Sequence, residues 1–133
     1  MVADYKFVHL SAGDLLREEV QQRPDSDLSK AINEHMKEGS LVPATVIVPL
    51  LKNKIEEKKA EATGFLIDGF PREVTQAELF ETEIGVPAHI LFCDCSEDTM
   101  KARLMKRGET SGRVDDNEEV MILCHNRNFD WPR

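Results

Sequence analysis

The sequence predicts an α/β fold with a parallel sheet, and three observations lead to that prediction. Short apolar segments at 7–10, 64–67 and 89–95 alternate with longer stretches that have helical hydrophobic spacing. The segment 89–95, HILFCDC, is almost continuously apolar, which is typical of a strand covered on both faces. The chain has 133 residues, enough for one domain with a core. In such sheets ligands bind at the carboxyl ends of the strands.

The first third of the chain predicts a strand followed by two helices. Residues 7–10 are the strand, and Ser11 with Asp14 three positions later is typical of a helix start. A polar break, QQRPDSD, precedes a second helix over 28–37, which should stop near Gly39. The two helices would then lie between the first strand and the rest of the sheet along the chain.

A third helix is predicted within 41–59, but Pro49 would remove one of its hydrogen bonds, so the helix either starts late or kinks there. Ser96 can cap a later helix, which Gly108 should terminate. The remaining elements are a strand at 64–67 ending in Asp68, a helix at 74–84, the strand at 89–95, a helix at 97–106 and a last helix from Asn117.

Composition argues against several classes of function. The formal net charge of -8 disfavours sequence-independent binding to nucleic acid or an anionic membrane, since both require a basic surface. No secretory signal is visible, and the longest apolar run, 41–51, is interrupted by prolines and too short to span a bilayer. Cys93, Cys95 and Cys124 are a weak metal signal; we expect small buried residues in a reducing, cytosolic compartment.

Four arginines are candidates for binding an anionic ligand: Arg17, Arg72, Arg107 and Arg113. The first two follow predicted strands, and the other two flank a glycine-containing loop. Guanidinium groups keep their charge and match phosphate oxygens geometrically, so gathered arginines on an acidic chain suggest a polyanionic ligand. Taken singly, each is better explained by an ion pair with a nearby carboxylate, such as Glu18, Glu73 or Asp116.

Asp68 ends an apolar strand and is harder to explain by structure alone. Such an acid either caps a turn or helix, or accepts the water shell of Mg²⁺. Gly69 after it would let the backbone approach a ligand closely. Asp115 and Asp116, by contrast, are best explained, taken alone, as caps of the last helix.

Three motifs in this chain resemble those of one enzyme family. FLIDGFPREVTQ at 65–76 is similar to the signature of nucleoside monophosphate kinases, the adenylate and UMP–CMP kinase family. HLSAGDLLR at 9–17 resembles that family's first acceptor-binding motif, and KRGETSGRVDDNEE at 106–119 resembles its mobile lid. The resemblance implies a parallel sheet of the P-loop NTPase type, with a helical NMP-binding insertion at 11–42 and a short lid at 106–116.

The same resemblance implies a role for each matching residue. Arg17 and Arg72 would bind the acceptor monophosphate, and Gln76 would hydrogen-bond its base. Asp68 would act on the Mg²⁺ that accompanies ATP through water, without direct metal ligation. The acceptor pocket would be lined by Ala12, Gly69 and the backbone of Ser40, Leu41 and Val42. The lid would supply Arg107 and Arg113, which clamp the transferring phosphoryl group of ATP, together with Asp115 and Asp116, which order the lid.

Substrates and compartment follow from the resemblance as well. The reaction would be reversible phosphoryl transfer from ATP to a nucleoside monophosphate, with lid closure excluding water. Ala12, where adenylate kinases usually have threonine, favours UMP or CMP, whereas EVTQ after Arg72 is closer to adenylate kinases and leaves AMP open. We expect a monomeric cytoplasmic enzyme, with the nucleus as a second location, and no nucleic-acid or membrane partner.

The sequence departs from the family at both ends. It contains no Gly-rich loop of the form G-x-x-x-x-G-K-[ST], and 121–133 resembles nothing in the family, so we expect 1–133 to be a single partial kinase domain. In the family the strand before that loop lies between strands equivalent to 64–67 and 89–93. We therefore expect these two strands to share no hydrogen bonds and the isolated chain to be marginally stable.

Three functions are compatible with this sequence. The first is an active kinase, of which these residues are a partial copy. The second is a non-catalytic fragment that binds a nucleoside monophosphate without transferring phosphate. The third is a pseudoenzyme that pairs with another chain, which supplies the missing phosphate-binding loop. Nucleotide binding without phosphoryl transfer would separate the second function from the first.

Overall fold

Two strands and six helices make up the part of the chain that the computed structural model describes, residues 2–93 and 95–111. In chain order they are α1 Val2–Tyr5, β1 Phe7–Ser11, α2 Ala12–Gln22, α3 Asp27–Lys37, α4 Ala44–Lys58, β2 Gly64–Asp68, α5 Val74–Glu83 and α6 Glu97–Ser111. The predicted order of helices and strands is confirmed from β1 through α5. The mixed α/β class is therefore confirmed.

The two strands pair in parallel, with Phe7 opposite Gly64 at the start and Ser11 opposite Asp68 at the end. A side chain at Gly64 would place its Cβ only 2.9 Å from the ring of Phe7, so any larger residue at the start of β2 would require that ring to move. Because the two strands are paired over their full length without an offset, their carboxyl ends meet at one edge of the sheet. Helix α2, which follows Ser11 directly, and the loop that follows Asp68 therefore begin side by side.

Side-chain caps define where α2 and α3 begin. The Ser11 hydroxyl accepts a hydrogen bond from the Asp14 amide at 3.3 Å, which confirms the predicted helix start. Ser26 caps α3 in the same way, accepting from the Ser29 amide at 3.1 Å. The end of α3 is also as predicted, since Gly39 adopts a φ of 63°, a left-handed conformation that suits glycine and stops the helix.

Helix α4 starts at Ala44 and runs through Pro49, so a late start is the wrong alternative. Proline cannot donate the main-chain hydrogen bond that this position would otherwise make. The helix nevertheless continues, because Val48 and Leu51 beside the proline are completely buried and Pro49 itself is exposed. Tertiary packing of the apolar face outweighs the local cost of the proline.

The core lies where α2, α3, α4 and α5 pack with β1. Its buried hydrophobic residues are Leu10, Ala12, Leu16, Ile32, Val42, Ile47, Val48, Leu51 and Phe80. The residues that surround this cluster come from both strands as well as the helices, including Val8 and Phe65. The core thus fixes α2 and the segment before α4 against the sheet, next to the edge where the strands end.

Two predictions about the second half of the chain are wrong. Residues 89–93 form no strand, and Ile90, Leu91 and Phe92 are exposed rather than covered on both faces. An apolar run is stable as a buried strand only beside a neighbouring strand, and among the described residues β2 pairs with β1 alone. Helix α6 also continues past Gly108 to Ser111, because glycine inside a helix costs only about 1 kcal/mol.

The cysteines also differ from expectation. Cys93 is exposed and Cys95 half-buried, and both are free thiols, so the predicted burial is wrong for Cys93. Cys124 lies outside the described residues. No helix in the described ranges combines the length and apolar character needed to cross a membrane.

Candidate functional site

Asp68 stands at the end of β2 with its carboxylate largely in solvent. Its side chain is 67% exposed, and its Oδ2 lies 3.6 Å from Nε2 of His9 on the neighbouring strand. Ser11 and Asp68 are paired, so their side chains lie on the same face of the sheet. His9 is two residues before Ser11 and shares that face, because side chains alternate along a strand. No role is expected for His9 from its motif, although its position two residues before Ser11 on a predicted strand is a usable signal.

Arg17 lies in the second turn of α2, beyond the end of β1. Its guanidinium is paired with Asp14 one turn earlier, rather than with Glu18 as an isolated ion pair would have suggested. A Cβ on Gly13 would lie 3.2 Å from Nη2 of Arg17, so the absence of a side chain there leaves room for the guanidinium. Asp14 and Gly13 thus hold Arg17 near the start of the helix.

Arg72 lies in the loop after β2 and is exposed. Its Nε donates to the main-chain oxygen of Gly69 at 2.9 Å, so the ion pair with Glu73 that a structural role would predict is not formed. Gly69 has a φ of 70°, and a Cβ on it would approach Nη2 of Arg72 to 3.4 Å. Within the described residues the Nη atoms of Arg72 pair with no carboxylate.

Gln76 connects the Arg72 loop to the segment before α4. Only 3% of it is exposed, and its Oε1 accepts from the Arg72 amide at 2.9 Å. Its Nε2 donates to the carbonyl of Val42, 34 residues away in sequence, at 3.1 Å. An amide nitrogen has two hydrogens and its oxygen two lone pairs, so one of each remains after these bonds. Gln76 is therefore held rigidly and still has capacity for a ligand.

The other residues expected to line a pocket lie on both sides of this connection. Ser40 and Leu41 are half-buried, and Val42 is buried. Ala12 is 4% exposed and belongs to the hydrophobic core. Ala12 and Val42 belong to the same hydrophobic core, and Gln76 joins the Val42 segment to the Arg72 loop.

The lid residues are not part of this arrangement as far as the structure describes it. Arg107 is exposed on α6, and Arg113, Asp115 and Asp116 lie outside the described residues. No group of three or more His, Cys, Asp or Glu side chains in residues 2–93 and 95–111 could hold a metal directly. Asp68 thus ends β2, Arg72 and Gln76 follow it and are joined by a hydrogen bond, and Arg17 lies on α2, which begins at the paired end of β1.

Comparison with known proteins matches this chain to a single family. The family model for adenylate kinase matches residues 1–127. Human adenylate kinase isoenzyme 1 is 49% identical over 121 residues, which are 91% of this chain and 61% of that protein. The uridylate kinase of Saccharomyces cerevisiae is 52% identical over 120 residues, 90% of this chain and 58% of that protein. The chain thus spans about three fifths of the length of these curated relatives.

Proposed function

This chain belongs to the adenylate kinase family, and on that premise we propose that the protein is a nucleoside monophosphate kinase whose acceptor site lies in these residues. The reaction is reversible transfer of a phosphoryl group from ATP to a nucleoside monophosphate. UMP or CMP is the favoured acceptor and AMP the alternative. The two relatives described above, an adenylate kinase and a uridylate kinase, are similar enough to support both acceptor classes.

One observation carries this proposal: β1 and β2 end in register, so α2, which bears Arg17, and the loop that bears Arg72 leave the sheet at one edge. Two guanidinium groups there suit the doubly charged phosphate of a nucleotide. Gln76 is proposed to bind the base with its remaining hydrogen-bonding capacity. Ala12, Gly69 and the backbone of Ser40, Leu41 and Val42 are proposed to line the pocket.

The exposed carboxylate of Asp68 fits a role with Mg²⁺ that retains its water shell. A dedicated cage would need several oxygen ligands, whereas Mg²⁺ usually keeps several waters and contacts few carboxylates. Asp68 fits because its side chain is solvent-exposed at the strand end, beside His9. The ion, bound with ATP, would neutralise charge on the phosphate oxygens.

The chemistry proposed for the protein is mainly positioning and charge stabilisation. Arg17 and Arg72 hold the acceptor, and Arg107 and Arg113 clamp the transferring phosphoryl group, with Arg107 also contacting ATP. Asp115 and Asp116 order the lid that carries Arg113. The 133 residues contain no G-x-x-x-x-G-K-[ST] loop to hold the phosphates of ATP. On their own, therefore, they are proposed to bind the acceptor without transferring phosphate.

A calorimetric titration with UMP, CMP and AMP tests the proposal. We expect binding of at least one of them, and no consumption of ATP by the isolated chain. Arg72→Ala should abolish the binding, because that guanidinium is directed to the ligand and is not engaged with a carboxylate among the described residues.

Arg23→Ala is a matched control, since Arg23 is an exposed arginine at the far end of α2 whose partner is Glu19. It should bind nucleotide like the unchanged chain. Equal affinity in the Arg72→Ala chain and the unchanged chain would rule out this pocket. Relative affinity for the three nucleotides decides the acceptor base, which we propose to be a pyrimidine on account of Ala12.

We propose the partners, the oligomeric state and the cellular compartment on the basis of the composition and the family. The acidic chain suits free nucleotides held by a few local arginines rather than nucleic acid or a membrane surface. A monomer acting in the cytoplasm, and also in the nucleus, is proposed. Fractionation with an antibody to the chain would test the compartment.

A further inference from the structure

A hydrogen-bonded link joins the end of α3 to the segment before α4. Nδ1 of His35 lies 2.7 Å from the Ser40 hydroxyl, and that hydroxyl donates to the main-chain oxygen of His35 at 3.3 Å. The Ser40 amide donates to the same oxygen at 2.9 Å. His35 therefore holds Ser40 through its main chain and its imidazole at once.

The contact with the imidazole is the shorter of the two that the Ser40 hydroxyl makes with His35. Nδ1 donates to the hydroxyl in one tautomer and accepts from it in the other, and either arrangement ties the imidazole to Ser40. Both side chains are half-buried, so water competes less for these bonds than it does at the surface.

Near Ser40, the segment before α4 has little support from regular secondary structure. Residues 39–43 form neither helix nor strand, and Gly39 turns the chain with its left-handed φ. At the far end the segment is fixed by the bond from Gln76 to Val42. Between the anchors at Ser40 and Val42 lies only Leu41. The backbone expected to line the acceptor pocket is thus held at two points, of which His35 supplies one.

We propose that His35 is a positioning residue for the acceptor site: its imidazole fixes the backbone of Ser40–Val42, against which the base of the acceptor lies. This inference rests on the proposed function, because it assigns His35 to the same pocket. His35 itself contacts no substrate in this role. The phosphate is held by Arg17 and Arg72 on another part of the pocket, so its binding does not depend on His35.

Two substitutions of His35 separate this role from general stability. The amide of His35→Asn is attached where Nδ1 is attached and can still bond to Ser40, whereas the amide of His35→Gln reaches the position of Nε2 and cannot. We expect His35→Gln to weaken binding of UMP, CMP or AMP three- to tenfold, the effect of about one hydrogen bond. His35→Asn should stay within about twofold.

Ribose 5-phosphate is the probe that distinguishes the backbone beside the base from the phosphate site. Its affinity should be the same for the unchanged chain and both variants, because it lacks the base. Ser40→Ala should reproduce the loss seen with His35→Gln, and combining the two should cause no further loss. Glutamine is a better helix former than asparagine, so a role in helix stability alone would reverse the order of the two variants.

The outcomes are distinct. Equal nucleotide affinity of His35→Gln and the unchanged chain would overturn the positioning role while leaving the proposed function intact. A matching loss for ribose 5-phosphate would also overturn it, since that loss would reflect general damage. No nucleotide binding by the unchanged chain would overturn the proposed function and this inference with it.

Discussion

Arg17 and Arg72 follow the two paired strand ends and have different local partners. The guanidinium of Arg17 is paired with the carboxylate of Asp14, whereas Arg72 is held by the main-chain oxygen of Gly69. A carboxylate competes with an anionic ligand for the guanidinium, but a carbonyl carries no net charge. Substitution of Arg72 is for this reason the sharper test of phosphate binding.

The buried amide of Gln76 determines how the two halves of the candidate pocket are joined. We expect Gln76→Leu to lower the free energy of unfolding by about 2–4 kcal/mol, because the Val42 carbonyl and Arg72 amide both lose their partner. Urea denaturation measures the change. Leucine has a similar volume, so a cavity contributes little to it.

Gln21→Leu is the matched control for this prediction. Gln21 is exposed on α2, and the same substitution there should change stability by no more than about 0.5 kcal/mol. A Gln76→Leu chain as stable as the Gln21→Leu chain would contradict the role assigned to the buried amide.

At the scale of elements, α2 and α3 begin with similar caps that serve different ends. Ser11 caps the helix that carries Asp14 and Arg17. Ser26 caps α3, and its hydroxyl also bonds to the fully buried Ser29 hydroxyl at 2.9 Å. The first cap thus binds the amide of Asp14, one turn before Arg17, and the second holds Ser29, whose hydroxyl bonds to the main-chain oxygen of Glu19 on α2 at 3.4 Å.

These caps predict opposite rankings for stability and binding. Ser11→Ala should cost about 1 kcal/mol of stability, the usual value for a lost cap. Ser26→Ala should cost about 1–2 kcal/mol, because Ser29 also loses a partner. Only Ser11→Ala should weaken nucleotide binding, since fraying of α2 displaces Arg17. Urea denaturation and calorimetry together check both rankings, and equal nucleotide affinity in the two variants would count against them.

On the scale of the whole molecule, apolar residues divide into a packed core and an exposed segment. Leu51 is completely buried, whereas Leu91 is 73% exposed beside Ile90 and Phe92. An exposed apolar run of this kind contributes nothing to core packing and favours self-association. We still expect the isolated chain to be marginally stable, and this distribution of apolar residues supports that prediction.

Replacing one buried and one exposed leucine by alanine compares how much the core and the exposed segment contribute to stability. Leu51→Ala should lower the free energy of unfolding by about 2–5 kcal/mol, the range for removing a core leucine. Leu91→Ala should change it by no more than about 0.5 kcal/mol. Thermal or urea unfolding decides, and a large effect at Leu91 would show that the 89–93 segment packs as the sequence pattern alone suggests.

Local signals in the sequence determined the elements whose partners are close in the chain. The apolar runs before Ser11 and Asp68 specified both strands, and the serine at the start of α2 specified its cap, since these depend on spacing of a few residues. The family resemblance also identified the residues that now stand near the strand edge, among them Arg72 and Gln76.

Only the tertiary structure decided which groups those residues contact. The bond from Gln76 to Val42, the link from His35 to Ser40 and the proximity of His9 to Asp68 depend on packing, which periodicity does not record. The pattern of 89–93 is that of a buried strand, yet the segment is exposed, because a strand needs a neighbour to satisfy its backbone. A sequence pattern states what a segment can become, and long-range contacts decide whether it does.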